Sequence, residues 1–164
     1  MQEGVFEGRV GFVSAVREAV LLACAQGCRE MYWFDSGFVD WPLSDPALLA
    51  GLTAWARPPR RLHLLALQYD DLRRRHPRFV QWRGNFGHCL DARAIEPELA
   101  GSVGLVAGLF TVGGEQRISL RLFDAEQWRG ASSLQAGDAL RTKEAFDALA
   151  QRSCESFAAT TLGL

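Results

Sequence analysis

Residues 29–35 have the sequence Arg-Glu-Met-Tyr-Trp-Phe-Asp, and residues 61–67 have the sequence Arg-Leu-His-Leu-Leu-Ala-Leu. Each stretch is a short, nearly continuous apolar run, which is typical of a strand covered on both faces. A helical pattern separates them: Asp45 is a predicted N-cap, and Pro46 follows at the first helical position. This order predicts two central, parallel strands.

Alternating helices and strands extend from this centre in both directions. The other predicted elements are a leading strand at Val5–Val10, a helix over 11–26, a helix over 69–83 interrupted near Pro77, a strand over 87–93, a hairpin of 103–112 and 116–123 joined by Gly113-Gly114, and a helix over 143–158. The expected fold class is α/β, with a mixed sheet, central parallel strands and helices on both faces. Another doubly wound α/β domain is the alternative.

Length and composition predict one globular domain over residues 1–164. Apolar residues make up 48% of the chain and charged residues 23%, a mixture that excludes intrinsic disorder. No apolar run approaches the roughly 20 residues that a membrane-spanning helix needs. The N-terminus lacks the basic start of a secretory signal, so we expect a cytoplasmic protein with no membrane partner.

The sequence contains no motif for a cofactor, and we expect none. It has no phosphate loop, no G-x-G-x-x-G and no C-x-x-C. The glycine-rich stretch Gly101–Gly104 lacks a phosphate-loop lysine and predicts a turn. In a reducing cytosol the four cysteines are expected to be free thiols. The spacing of Cys24, Cys28 and His88-Cys89 does not match structural zinc loops, so no metal site is predicted.

Positive charge is concentrated between residues 57 and 93. This segment has nine arginines and three aspartates, whereas the whole chain has a net charge of −1. Such a cationic segment is typical of an anion site, because guanidinium groups bind phosphate or carboxylate through paired hydrogen bonds. The candidate anion-binding residues are Arg73, Arg74, Arg75, His76, Arg78, Arg83 and His88. Alternatively, these arginines pair with acids of the same chain, such as Glu96 and Glu98, or with acids of a second subunit.

His76 lies in the sequence Arg-Arg-Arg-His-Pro-Arg and is expected to be exposed. The surrounding positive charge would depress its pKa and keep the ring neutral near pH 7. A neutral imidazole beside guanidinium groups suits a phosphate contact or a proton transfer. His63, among leucines, is expected to be a core or edge histidine with its hydrogen bonds satisfied.

The order of elements resembles a single phospholipase D-like half domain over nearly the whole chain. The family signature is a His-x-Lys followed four residues later by Asp, just before the strand predicted at 103–112. The corresponding stretch here, residues 94–103, contains neither histidine nor lysine. The resemblance therefore implies a module without the family's phosphodiesterase chemistry, so no catalytic residue is assigned.

Three functional classes remain open. The first is a catalytically inactive phospholipase D-like module that binds an anion or a protein. The second is an enzyme with a relocated His/Arg phosphate site, and the third is a structural or regulatory homodimer without ligand. The resemblance implies a homodimer, because a half domain of this family that acts alone typically pairs with a second copy. The five tryptophans also favour a homodimer, since exposed tryptophans favour interfaces. Phosphate-bearing small molecules and proteins are the other expected partners. The net charge of −1 and a pI near 6.3 argue against nucleic acid.

Overall fold

An eight-stranded sheet forms the centre of the computed structural model, which describes residues 1–99 and 106–157. The predicted turn at Gly101–Gly104 lies outside these residues. The strands are β1 Gly4–Phe6, β2 Glu30–Phe34, β3 Arg61–Ala66, β4 Leu90–Ile95, β5 Gly108–Val112, β6 Ser119–Asp124, β7 Arg129–Ser133 and β8 Ser153–Glu155. The helices are α1 Arg9–Ala25, α2 Pro46–Trp55, α3 Asp70–Arg75, α4 Pro77–Asn85 and α5 Ala136–Ala150.

The sheet has the order β1-β7-β6-β5-β2-β3-β4-β8. β2 and β3 lie inside it and pair in parallel, as the two apolar runs predict, with Tyr32 opposite His63. β3 also pairs in parallel with β4, whereas β2 pairs in the antiparallel sense with β5. Parallel neighbours need a crossover, and α2 and the α3–α4 pair provide the two crossovers here.

The expected fold class is nevertheless wrong as a whole. Among the described strands, five of the seven pairings are antiparallel, so the sheet is neither phospholipase D-like nor doubly wound. The cause is the second half of the chain, where β5, β6 and β7 form an antiparallel meander. The predicted turn between β5 and β6 is confirmed, since Gly113 and Gly114 have φ angles of 78° and 87°.

Two hydrophobic clusters lie on opposite faces of the sheet. The larger one contains Trp33 and Leu64 and packs against α1, α2, α3 and α4. The smaller one contains Phe34 and Phe110 and packs against α5 through Phe146. α5 begins at Ala136 rather than near residue 143, so the predicted final helix is misplaced. No helix of the described residues is long and apolar enough to cross a membrane.

Capping residues set the start of α2 as predicted. The Asp45 carboxylate accepts a hydrogen bond from the Ala47 amide at 2.9 Å, and Pro46 occupies the first helical position. The Asp45 carboxylate also forms an ion pair with Arg17 of α1. The contact therefore both caps α2 and ties it to α1.

The unpredicted strand β7 makes Gly130→Ala a direct test of the sheet. A Cβ there would lie 2.3 Å from the Arg121 carbonyl oxygen and 2.5 Å from the Phe6 ring, which leaves no space for it. We expect a loss of about 1–3 kcal/mol in the free energy of unfolding, measured by urea denaturation.

Gly84→Ala in α4 is the matched control. A Cβ at Gly84 meets no atom within 4 Å, so alanine should stabilise the helix by about 0.5–1 kcal/mol. Equal stability of the two variants would contradict the placement of β7 between β6 and β1.

Candidate functional site

The arginine cluster lies where the connection between β3 and β4 breaks into α3 and α4. The break falls at His76 and Pro77, as the proline predicts, because Pro77 cannot donate an amide hydrogen bond. Leu72 and Phe79 point into the core on either side of the break. The outward side chains are Arg73, Arg74, Arg75 and Arg78, which are all exposed and are called the arginine surface below.

His76 is buried beneath this surface, and the expectation of an exposed histidine is wrong. Its Nε2 lies 2.9 Å from the Val39 carbonyl oxygen and 3.2 Å from that of Phe38. Because a carbonyl oxygen only accepts, Nε2 carries the proton, and Nδ1 at 2.8 Å accepts from the Ser44 hydroxyl. Burial, more than the nearby Arg75, lowers the pKa of His76. The ring therefore fixes the break and is not available as a phosphate contact or proton-transfer group.

Acids of the same helix neutralise only half of the arginine surface. Arg74 pairs with Asp71, and Arg73 lies 3.8 Å from Asp70. The partners of these arginines are therefore Asp70 and Asp71, and not Glu96 and Glu98 as expected. Arg75 and Arg78 have no carboxylate partner within the described part of the chain. Two exposed guanidinium groups are therefore left without a neutralising carboxylate in the described part of the chain.

The other two predicted anion-binding residues do not join this surface. Arg83 is buried and donates hydrogen bonds to the carbonyl oxygens of Phe157 and Gly87. His88 is exposed, but it lies beyond the far end of α4 in a short 3₁₀ turn at Gly87–Cys89. The seven candidate residues thus divide into an exposed surface, two buried side chains and one distant histidine.

Sequence reasoning did not find a second polar cluster, on the sheet face that α5 covers in part. His63 lies between two carboxylates, with Nε2 3.2 Å from Glu30 and Nδ1 3.6 Å from Asp91. Its ring stacks on Tyr32 with centroids 4.3 Å apart, and Arg93 lies 3.5 Å from Asp91. The alternation of polar residues along β2, β3 and β4 was the available signal. Because its charges oppose one another, the cluster joins three strands without forming a cationic surface.

Cys24 and Cys28 are not suited to nucleophilic chemistry. Burial raises the pKa of both Cys24 and Cys28 to about 12, which keeps them as thiols near pH 7. All four cysteines are free. Within residues 1–99 and 106–157 no group of three His, Cys, Asp or Glu side chains is arranged to hold a metal ion.

Comparison with known proteins gives a likeness among solved structures. No protein-family model matches the chain, and no curated protein matches it. Among solved structures it is similar to TrmBL2, described as an archaeal chromatin protein with a novel mode of DNA binding, at a TM-score of 0.61 and 14% identity. The likeness covers 95% of this chain and 54% of TrmBL2, so this chain spans about half of that protein's length. At this identity the likeness establishes the fold alone.

The likeness corrects the expectations about family and partners. No finding points to a phospholipase D-like domain, so the expected role as an inactive module of that family is wrong. The expectation that nucleic acid is not a partner is also contradicted, because TrmBL2, about half of which has this fold, is described as binding DNA. The expected homodimer is not shown. Four of the tryptophans that suggested it are buried in the core, and the fifth, Trp128, is half-buried.

His76→Gln tests the buried neutral imidazole. The folded state holds the ring with a lowered pKa, so below about pH 6.5 the unfolded chain binds its proton first and stability falls as the pH falls. We expect wild-type protein to lose up to about 1.4 kcal/mol per pH unit relative to His76→Gln in this range, measured by urea denaturation at several pH values. Parallel pH profiles for the two proteins would show that the ring is not held neutral.

Proposed function

We propose that this chain is a DNA-binding domain that contacts the phosphate backbone through the arginine surface. Arg75 and Arg78 are the observation that carries this proposal, because both are exposed and no described carboxylate neutralises them. Phosphate oxygens are the acceptors that a guanidinium group binds best, through two parallel hydrogen bonds.

The start of α4 at this surface also favours an anion. Arg73, Arg74 and Arg75 occupy the last turn of α3, where positive charge is stabilising. Arg78 instead lies in the first turn of α4, which contains no acidic residue. A cation at the positive end of a helix is unfavourable unless an anion is near. A bound phosphate would supply that anion and remove the unfavourable interaction.

The likeness to TrmBL2 supports the proposal independently. That protein is described as binding DNA, and nearly all of this chain has its fold. Since this chain spans about half of TrmBL2, the proposal concerns a domain and not the activity of that whole protein. The residue argument and the fold argument lead to the same class of ligand.

The proposed contact is with the backbone, and its affinity should depend on salt more than on base sequence. Two to four guanidinium groups that each neutralise one phosphate predict a slope of about −1.8 to −3.6 in log affinity against log salt concentration. This is a weak interaction, which suits a chain whose net charge is −1.

The double variant Arg75→Ala, Arg78→Ala tests this function. We expect its affinity for a fluorescently labelled duplex, measured by anisotropy at low salt, to fall at least about tenfold. The salt slope should flatten by about 1.8, because two phosphate contacts are lost.

Arg117→Ala, Arg121→Ala is the matched control. Both arginines are exposed without a carboxylate partner in the described residues, and both lie at clefts beside α5, away from the arginine surface. This control removes the same charge and should retain binding. Equal losses in the two double variants, or no loss in either, would contradict a contact at the arginine surface.

A further inference from the structure

The ring of Phe157 fills a pocket beside the arginine surface. Phe157 is 3% exposed and stacks on Tyr69 with ring centroids 5.2 Å apart and planes 6° from parallel. The guanidinium carbon of Arg73 lies 5.2 Å from the centroid of the Phe157 ring, and that of Arg83 lies 5.8 Å from it. Tyr69, Arg73 and Arg83 thus form what we call the Phe157 pocket.

Arg83 is the unusual member of this pocket. It is 8% exposed, and no described carboxylate lies within ion-pair distance of its guanidinium group. Buried charges in proteins are normally paired with an opposite charge. Arg83 Nε instead donates to the Phe157 carbonyl oxygen at 3.2 Å, and Nη1 donates to the Gly87 carbonyl oxygen at 3.1 Å. Asp91 attracts this guanidinium group only from beyond ion-pair distance, so its direct contacts are neutral acceptors that an anionic ligand can replace.

We propose that the Phe157 pocket is a nucleotide site for single-stranded nucleic acid, and that Phe157 occupies it in the absence of ligand. The Phe157 ring lies where a base would stack on Tyr69, and its carbonyl oxygen lies where a phosphate oxygen would accept from Arg83. This inference rests on the proposed function in taking nucleic acid as the ligand.

The chemistry of the pocket selects an unpaired nucleotide. Stacking on an aromatic ring requires a free base face, which a duplex does not offer. Guanidinium groups stack on aromatic faces and also bind phosphate. Arg73 and Arg83 can therefore contact both the base and the phosphate of a nucleotide. Arg73 also belongs to the arginine surface, so a strand held there by its phosphates has a base position directly beside it.

The backbone of Phe157 favours its release. Its φ angle of 52° lies in the left-handed region, which is costly for a residue with a side chain. The Ser156 amide donates to the Ala92 carbonyl oxygen at 2.9 Å, and this hydrogen bond reports whether the segment is docked.

Phe157→Leu tests the proposal while keeping apolar volume in the pocket. The probe is a six-nucleotide single-stranded DNA that contains one 2-aminopurine, whose fluorescence falls on stacking. Leucine cannot stack on Tyr69 as phenylalanine does, so it competes less well with a base. We expect the variant to bind the probe about tenfold more tightly than wild type and to quench it more strongly.

Two further variants decide whether a gain arises in the pocket. Adding Arg83→Met to Phe157→Leu should remove the gain, because the phosphate contact is lost. Phe123→Leu makes the same change at a phenylalanine that is 57% exposed elsewhere, and it should bind like wild type. No gain in folded Phe157→Leu, or a gain that survives Arg83→Met, would overturn the proposal.

Hydrogen exchange on wild-type protein tests the same idea without a variant. A saturating concentration of the probe should accelerate exchange of the Ser156 amide, because the nucleotide displaces Phe157. Unchanged or slower exchange would overturn the proposal even if Phe157→Leu failed to fold.

Loss of duplex binding in Arg75→Ala, Arg78→Ala with no gain in Phe157→Leu would leave the DNA-binding proposal standing and reject the pocket. Tighter probe binding by Phe157→Leu, in a protein that does not bind the duplex, would support the pocket and reject the duplex contact at the arginine surface.

Discussion

β2 pairs with β3 on one side and with β5 on the other, and the remaining structure depends on this double pairing. On the β3 side the strands are parallel, so the chain must cross over the sheet between them. The second crossover is the α3–α4 segment, which buries Leu72 and Phe79 and leaves the arginine surface in solvent. On the β5 side, the antiparallel strands β5, β6 and β7 follow one another along the chain through short turns. The arginine surface is therefore a consequence of the parallel half of the sheet.

A chain of contacts holds that surface in place. The Asp35 carboxylate, at the end of β2, accepts hydrogen bonds from the amides of Gly37 and Phe38. Burial raises the pKa of Asp35. These bonds hold Phe38 at a φ of 61°, and its carbonyl oxygen then lies within 3.2 Å of His76 Nε2. His76 in turn fixes the break from which the arginines project. The exposed cations thus depend on a buried neutral imidazole and a half-buried carboxylate.

Local signals in the sequence predict the local features. The apolar runs predict β2 and β3, Asp45 predicts the start of α2, and Pro77 predicts the break. Features that depend on distant contacts were missed. β7 has the sequence Arg-Gly-Ala-Ser-Ser and shows no apolar alternation, because its place is set by pairing with β6 and β1. His76 is buried by groups more than thirty residues away, and Arg83 meets Phe157 across 74 residues. Such contacts come from sheet topology, which short patterns do not encode.

An NMR titration of the whole chain with duplex DNA tests the central claim most directly. If the arginine surface binds phosphate, the largest shifts should occur at the Arg75 and Arg78 side-chain Nε–H groups and at the backbone amides of the first turn of α4. These shifts should diminish as salt is raised, because the contact depends on counterion release. Resonances of β7 and of the clefts beside α5 should remain unchanged. Shifts centred on α5, with Arg75 and Arg78 unaffected, would contradict the account.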